Sequence, residues 1–242
     1  NPTSVLVWRY AIASLLFLAW MVAKRESFHL RLGPAIRMAV LGTFMAMSSA
    51  TLYLSFKYMD AGIASTILFS YPIITAVLMT AFFHERITWS TTFSILLAVT
   101  GIGLLYRGGD NATLSTLGVA LVLLSSLFYA FYIIGVNQTH TGLSAIQFTF
   151  WVVLFGLISL LVLSVIMGEQ IQVLTTPKQW ACAAQLALLP TVLSLYFMNI
   201  AIEKVGSTPS AIMGAVEPVT AVFIGVLIFG ESFSLRLFVG IV

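Results

Sequence analysis

Two dipeptides set a polar group beside a helix-breaking proline inside otherwise apolar runs: Glu217-Pro218 within 206–229 and Tyr71-Pro72 within 62–83. A carboxyl at the centre of such a run costs about 2.5 kcal/mol or more even on the mildest insertion scale, so it turns toward protein or a water-filled cavity. Proline lacks the backbone donor and clashes with the carbonyl four residues earlier, so the helix is expected to kink or open at that point. The chemistry this implies at Glu217 is reversible binding of a proton or a cationic group at the bilayer midplane. Tyr71 offers a phenol at the equivalent point, suited to hydrogen-bonding a solute. The alternatives are structural: a hydrogen bond from Glu217 to a neighbouring helix, and a tyrosine packed against the bend.

Further polar side chains interrupt other apolar runs. Arg9, in Trp8-Arg9-Tyr10, either attracts an anionic group or pairs with a carboxylate such as Glu217, or else snorkels to the interface beside aromatic residues. Asn199 and Tyr53 stand at corresponding places in the two halves of the chain, and Tyr129, Tyr132, Gln147 and Trp151 line two further runs. Amide, phenol and indole groups suit recognition of a small polar solute. Interhelical hydrogen bonds of about 0.6 kcal/mol account for them equally well. The candidate substrate-binding set is therefore Glu217, Tyr71, Asn199, Tyr53, Arg9, Tyr129 and Trp151.

Positioning these groups falls to membrane-spanning helices. Of 242 residues, 60% are hydrophobic and 8% charged, against roughly 25% charged in soluble domains. Crossing a hydrocarbon core takes about 20 apolar residues. Such runs lie at 3–23, 35–59, 62–83, 88–106, 117–136, 144–167, 179–202 and 206–229, and a further one opens at Phe233. The alternating segments of about 10 residues that mark membrane barrels are absent. The linkers are too short for a separate soluble domain, so a single all-helical membrane domain over 1–242 is expected.

Several function classes lose their footing. Cys182 is the lone cysteine, which rules out an internal disulfide framework, and it reads as a small buried apolar residue. The net charge of +3 is scattered over linkers, not gathered into a nucleic-acid-binding tract. His29, His84 and His140 form no metal-ligand pair, and neither a Gly-x-Ser-x-Gly elbow nor a phosphate-binding Gly-Lys-Ser/Thr loop occurs. No cofactor, metal or catalytic residue is expected. Uphill movement of a solute would draw on an ion gradient or on a partner.

The chain resembles itself. Tyr71-Pro72 is followed by Phe83-His84-Glu85 at the spacing with which Glu217-Pro218 is followed by Phe229-Gly230-Glu231, and Lys57-Tyr58-Met59-Asp60-Ala61-Gly62 has its counterpart in Ala201-Ile202-Glu203-Lys204-Val205-Gly206. The reading is a duplication, with a first repeat over 1–106 expected to lack its first helix and a second over 117–242 whose last helix is truncated. Five spans per repeat insert the second copy upside down, the inverted symmetry associated with alternating access. Lys24, Arg25, Arg31, Arg37 and Arg86 fall on one side, which the positive-inside rule makes cytoplasmic. Residue 1 is thus expected outside, while the second half carries almost no charge bias of its own.

At these residues the chain resembles the EamA-like branch of the drug/metabolite transporter superfamily. The resemblance rests on Trp8-Arg9-Tyr10-Ala11, on the Lys57–Gly62 hinge leading to Pro72 and Phe83-His84-Glu85, and on Glu217-Pro218 leading to Phe229-Gly230-Glu231. It implies ten helices in two inverted five-helix repeats in a bacterial inner membrane, of which about eight and part of a ninth are in this chain. It further implies export or exchange of amino acids, other metabolites or toxic compounds around a midplane cavity. The expected partners are a small-molecule substrate, the lipid bilayer, a proton or other coupling ion and a second copy of the chain. Tyr71 in place of a second glutamate departs from strict symmetry. The competing reading is a lipid-modifying membrane enzyme or scaffold that moves no solute.

Overall fold

The computed structural model describes residues 2–59, 61–84, 89, 93, 115–139 and 141–214. Among them every regular element is helical: α1 (Pro2–Ala23), α2 (Leu32–Ser55), α3 (Ala61–Leu68), α4 (Tyr71–Phe83), α5 (Thr116–Gln138), α6 (Ala145–Ile166), α7 (Pro177–Ala187), a π-helical turn (Leu188–Leu193), α8 (Ser194–Val205) and α9 (Ser207–Gly214). Five are long and apolar enough to cross a membrane: α1, α2, α5, α6 and the continuous path Pro177–Val205. These coincide with the first, second, fifth, sixth and seventh apolar runs of the sequence. All of the run 88–106 except Trp89 and Phe93, and most of 206–229, lie outside the described residues, as do Glu217, Glu85 and Glu231.

Helix starts follow local chemistry. Ser144 accepts from the Gln147 backbone N–H while the Gln147 side chain accepts from the Ser144 N–H, a reciprocal cap that opens α6. Thr176 and Gln179 do the same for α7, with Pro177 in the first turn, where a missing N–H costs nothing. Gln147 Nε2 also donates to the Ser27 carbonyl, tying the α1–α2 linker to the start of α6. Gln147 is thus a structural cap.

Packing is set by small residues. A Cβ built on Gly42 of α2 would stand 2.5 Å from the Val152 carbonyl oxygen and 2.7 Å from the Gly156 nitrogen of α6, so these two helices cross backbone to backbone. On the next face of α2, Ser125 Oγ of α5 donates to the Ser48 carbonyl at 2.7 Å. The α1 helix packs on α6 and α7. At one end of the bundle Trp8 Nε1 donates to the Gln172 carbonyl, and Lys57 Nζ stands 3.9 Å from Glu169. Ser27 and Gln147 mark the opposite end.

The run 62–83 is not one span. It divides at Phe69-Ser70, and Tyr71 and Pro72 begin α4 instead of bending a continuous helix. Proline is preorganised for a first helical turn, so it restarts the chain there. The Leu68 carbonyl beside the break is met by Ser126 Oγ of α5 at 3.1 Å, which offsets part of the lost helical bonding. His84, with φ 55°, closes α4 in the left-handed conformation and donates its N–H to the Met79 carbonyl.

Candidate functional site

A line of polar side chains crosses the bundle interior. Tyr129 and Tyr132 sit three apart on α5, hence on one face, with rings 6.0 Å apart and nearly parallel at 18°. The Tyr132 hydroxyl donates to Asn199 Oδ1 of α8 at 2.6 Å, and Asn199 Nδ2 donates to Thr149 Oγ1 of α6 at 3.0 Å. Thr149 in turn donates to the Ala145 carbonyl at 2.7 Å. All three groups are buried. In a low-dielectric interior an unpaired member of such a set is costly, so the three helices are held in one register by complete satisfaction.

On the other side of Tyr129 stands Tyr71, edge-on at 4.8 Å and 80°. Its hydroxyl lies directly over Gly214 of α9, in the space a Cβ there would fill. Glycine at 214 is what lets α9 approach the start of α4 this closely. Gly214 precedes Glu217 by three residues, so the tyrosine line ends at the segment that carries the acid. Beyond Asn199, a cavity of about 130 Å³ opens toward the Ser27 end, lined in part by Asn137, Thr139, Thr141, Asn199 and Glu203.

Arg9 is placed separately. Its Nε donates to Thr191 Oγ1 at 2.6 Å, within the π-helical turn, and its guanidinium carbon lies 5.8 Å from the centre of the Tyr10 ring. The side chain is half-buried and turned to protein, where interfacial snorkelling was the other reading. Tyr10 is itself fully buried and bonded to Ser49 Oγ at 3.1 Å.

Two candidates stand apart from this line. Tyr53 packs against Phe56 at 5.3 Å, and among the described residues its hydroxyl has no hydrogen-bond partner. Trp151 packs against Phe150 and Phe155, and its buried Nε1 has no hydrogen-bond partner among the described residues. Cys182 is exposed, not buried: it borders a cavity of about 300 Å³ between α1 and α7. The expectation for a lone thiol in an apolar helix failed because α7 has only part of its circumference covered. Among the described residues no group of three His, Cys, Asp or Glu side chains is placed to hold a metal ion.

Sequence reasoning passed over Thr149, Thr191 and Glu203. A single threonine in an apolar helix carries no signal, because its hydroxyl ordinarily bonds the carbonyl a turn earlier. Pro190 was a usable sign for Thr191, since it frees a carbonyl nearby.

The described residues thus form a helical bundle with five helices long and apolar enough to cross a membrane and a line of buried polar side chains inside it. The comparisons with known proteins agree: the EamA-like transporter family model matches residues 1–107 and 116–242, and the chain belongs to that family. Among curated proteins it is 27% identical over 197 residues to an uncharacterized transporter, sll1319, of Synechocystis sp., covering 80% of this chain and 59% of that one. It is 21% identical over 234 residues to YyaM, an uncharacterized transporter of Bacillus subtilis, covering 93% and 76%. A third, 26% identical over 132 residues, is an uncharacterized transporter of Archaeoglobus fulgidus, with 54% and 46% covered. The chain thus spans about three fifths of the length of its cyanobacterial relative. A crystal structure superposes with a TM-score of 0.80 at 14% identity, over 99% of this chain and 84% of its own, a likeness of fold.

Proposed function

We propose that the protein is a secondary carrier of small polar or amphipathic metabolites such as amino acids, working by alternating access as an exporter or exchanger in the bacterial inner membrane. The observation that carries this is the continuous polar line from the Asn199–Glu203 cavity through Tyr132, Tyr129 and Tyr71 to Gly214, three residues short of Glu217. In this reading Glu217 binds a proton or the substrate's cationic group. Tyr71, Tyr129 and Asn199 hydrogen-bond the solute along its route, Arg9 receives its negative end, and Tyr53 and Trp151 supply wall surface.

The Ser27 end faces the cytoplasm on loop charge, so the Asn199–Glu203 cavity is the inner entrance. At the opposite end the Lys57–Glu169 pair links the tail of α2 to the linker after α6 and acts as an outer latch. Two features support two inverted repeats: the family model matches in two stretches, and α3 and α9 begin at the same offset as Tyr71 and Glu217. In the same reading a proton or another ion couples the cycle, with Glu217 as the site where a proton would be taken up, and the carrier pairs with a second copy of the chain.

The test is efflux of radiolabelled amino acids from proteoliposomes holding the full-length protein, at several external pH values. Flux that saturates, and whose pH dependence disappears in Glu217→Gln, is the expected result. Unchanged flux and pH dependence in that variant would overturn the role of the acid, and lipid turnover without solute flux would overturn the carrier reading.

A further inference from the structure

The environment of Arg9 names the chemistry of one end of the substrate. Pro190 has no N–H, so the Leu186 carbonyl four residues earlier loses its α-helical donor, and the chain relaxes into the π turn 188–193. The Thr191 hydroxyl fills that vacancy, donating to the Leu186 carbonyl at 3.0 Å. Its single proton is then committed, so toward Arg9 it can only accept, and Arg9 Nε donates to it at 2.6 Å. Thr191 is fully buried. The proline, the freed carbonyl and the threonine therefore build an acceptor whose one visible task is to hold an arginine by Nε.

Holding Nε leaves both terminal nitrogens of the guanidinium available. Among the described residues Arg9 has no other hydrogen bond and no acidic partner; the one ion pair there is Lys57–Glu169. The guanidinium is also braced on the ring of Tyr10, which Ser49 fixes in turn. A charge in a membrane span that is braced, oriented and without an acidic partner among the described residues is suited to receive a mobile one. A cavity of about 300 Å³ lies close by: its lining includes Val5, one turn from Arg9 on the same face of α1, and Leu186, whose carbonyl Thr191 caps. The lining side chains there include Ser4, Gln172 and Gln179 and no charged group.

We propose that Arg9, oriented by Thr191, is the receiving site for a carboxylate on the transported solute. This rests on the carrier reading above. A planar guanidinium with two parallel N–H bonds matches a carboxylate edge to edge. One cation, near a cavity whose lining holds no charged group, suits a single negative charge better than a phosphate ester.

The experiment uses full-length protein in phosphatidylethanolamine–phosphatidylglycerol vesicles, with a radiolabelled amino-acid mixture as probe and the unlabelled amino acids or their amides as competitors. The wild type should prefer acids over amides by about tenfold or more, the worth of one good charge-assisted contact. Arg9→Gln should abolish that preference, Arg9→Lys retain part of it, and Thr191→Val, which keeps the charge, should weaken it. Wild-type preference persisting in Arg9→Gln would overturn the site. So would a preference that follows replacement of phosphatidylglycerol by neutral lipid in both proteins, which would point to a headgroup phosphate as the arginine's partner. Binding of the probe to detergent-solubilised protein separates the two proposals. Arg9-dependent binding without flux sinks the carrier reading and keeps the site, whereas flux without acid-over-amide discrimination sinks the site alone, and neither binding nor flux sinks both.

Discussion

The Tyr132 hydroxyl donates to Asn199 Oδ1 at 2.6 Å, joining α5 to α8 where the 130 Å³ cavity meets the bundle interior. Because Asn199 is also committed to Thr149 on α6, one amide holds three helices in register.

Removing the hydroxyl leaves that amide oxygen buried and unpaired. Tyr132→Phe should destabilise the protein by about 1 kcal/mol, the usual range for an orphaned acceptor, read as a fall in thermal midpoint in detergent. Asn199→Leu orphans Tyr132 and Thr149 together and should cost more. Equal midpoints for both variants and the wild type would show that the network contributes nothing to stability.

Gly214 admits no side chain while Tyr71 keeps its hydroxyl. Gly214→Ala should lower both stability and flux, with overpacking costing about 1–3 kcal/mol. Tyr71→Phe should restore part of that loss in the double variant, since the phenol oxygen is the atom in the way. No recovery would mean that α9 meets a different obstacle.

At the α2–α6 crossing the obstacle is backbone, which cannot swing aside. Gly42→Ala should therefore be among the most damaging single-methyl additions in the chain, whereas Gly33→Ala, with nothing within 4 Å, should be neutral or slightly favourable to α2. Comparing the two midpoints separates helix propensity from close approach.

Lys57 and Glu169 are both partly exposed, at 45% and 21%, and such a pair is worth about 0–1 kcal/mol. Lys57→Gln should leave the thermal midpoint almost unchanged and alter the rate of flux, with a smaller difference at high salt. A charge-swapped double variant should recover wild-type kinetics. A large stability loss with unaltered kinetics would assign the pair to folding instead of to opening.

What the sequence disclosed follows from the range of the forces involved. Five spans were legible because hydrophobicity summed over about 20 residues outweighs local detail. Asn199 and Arg9 stood out as polar atoms in apolar runs, yet their partners Tyr132, Thr149 and Thr191 depend on the rotation of one helix against another, which no local pattern encodes. Pro72 signalled a disturbance correctly and its form incorrectly: a proline preceded by a turn starts a helix as readily as it bends one. Cys182 was misjudged for the same reason as Thr191, since apolar surroundings in sequence say nothing about which side of α7 is covered.

The π-helical turn bears on how the two halves compare. A ring closed by i→i+5 bonds holds one more residue than an α-helical turn, so everything before Leu188 is displaced by one position relative to everything after Leu193. The α2 and α7 helices begin at Leu32 and Pro177, one residue closer together than Tyr53 and Asn199. An ungapped superposition of the halves that aligns Tyr53 with Asn199 will consequently rotate the part of this span before Leu188 by about 100° and equate residues that point in different directions. Deleting a single residue from 188–193 would do to the molecule what that alignment error does on paper, swinging Trp180 and Gln179 off their present faces while Asn199 stays where it is.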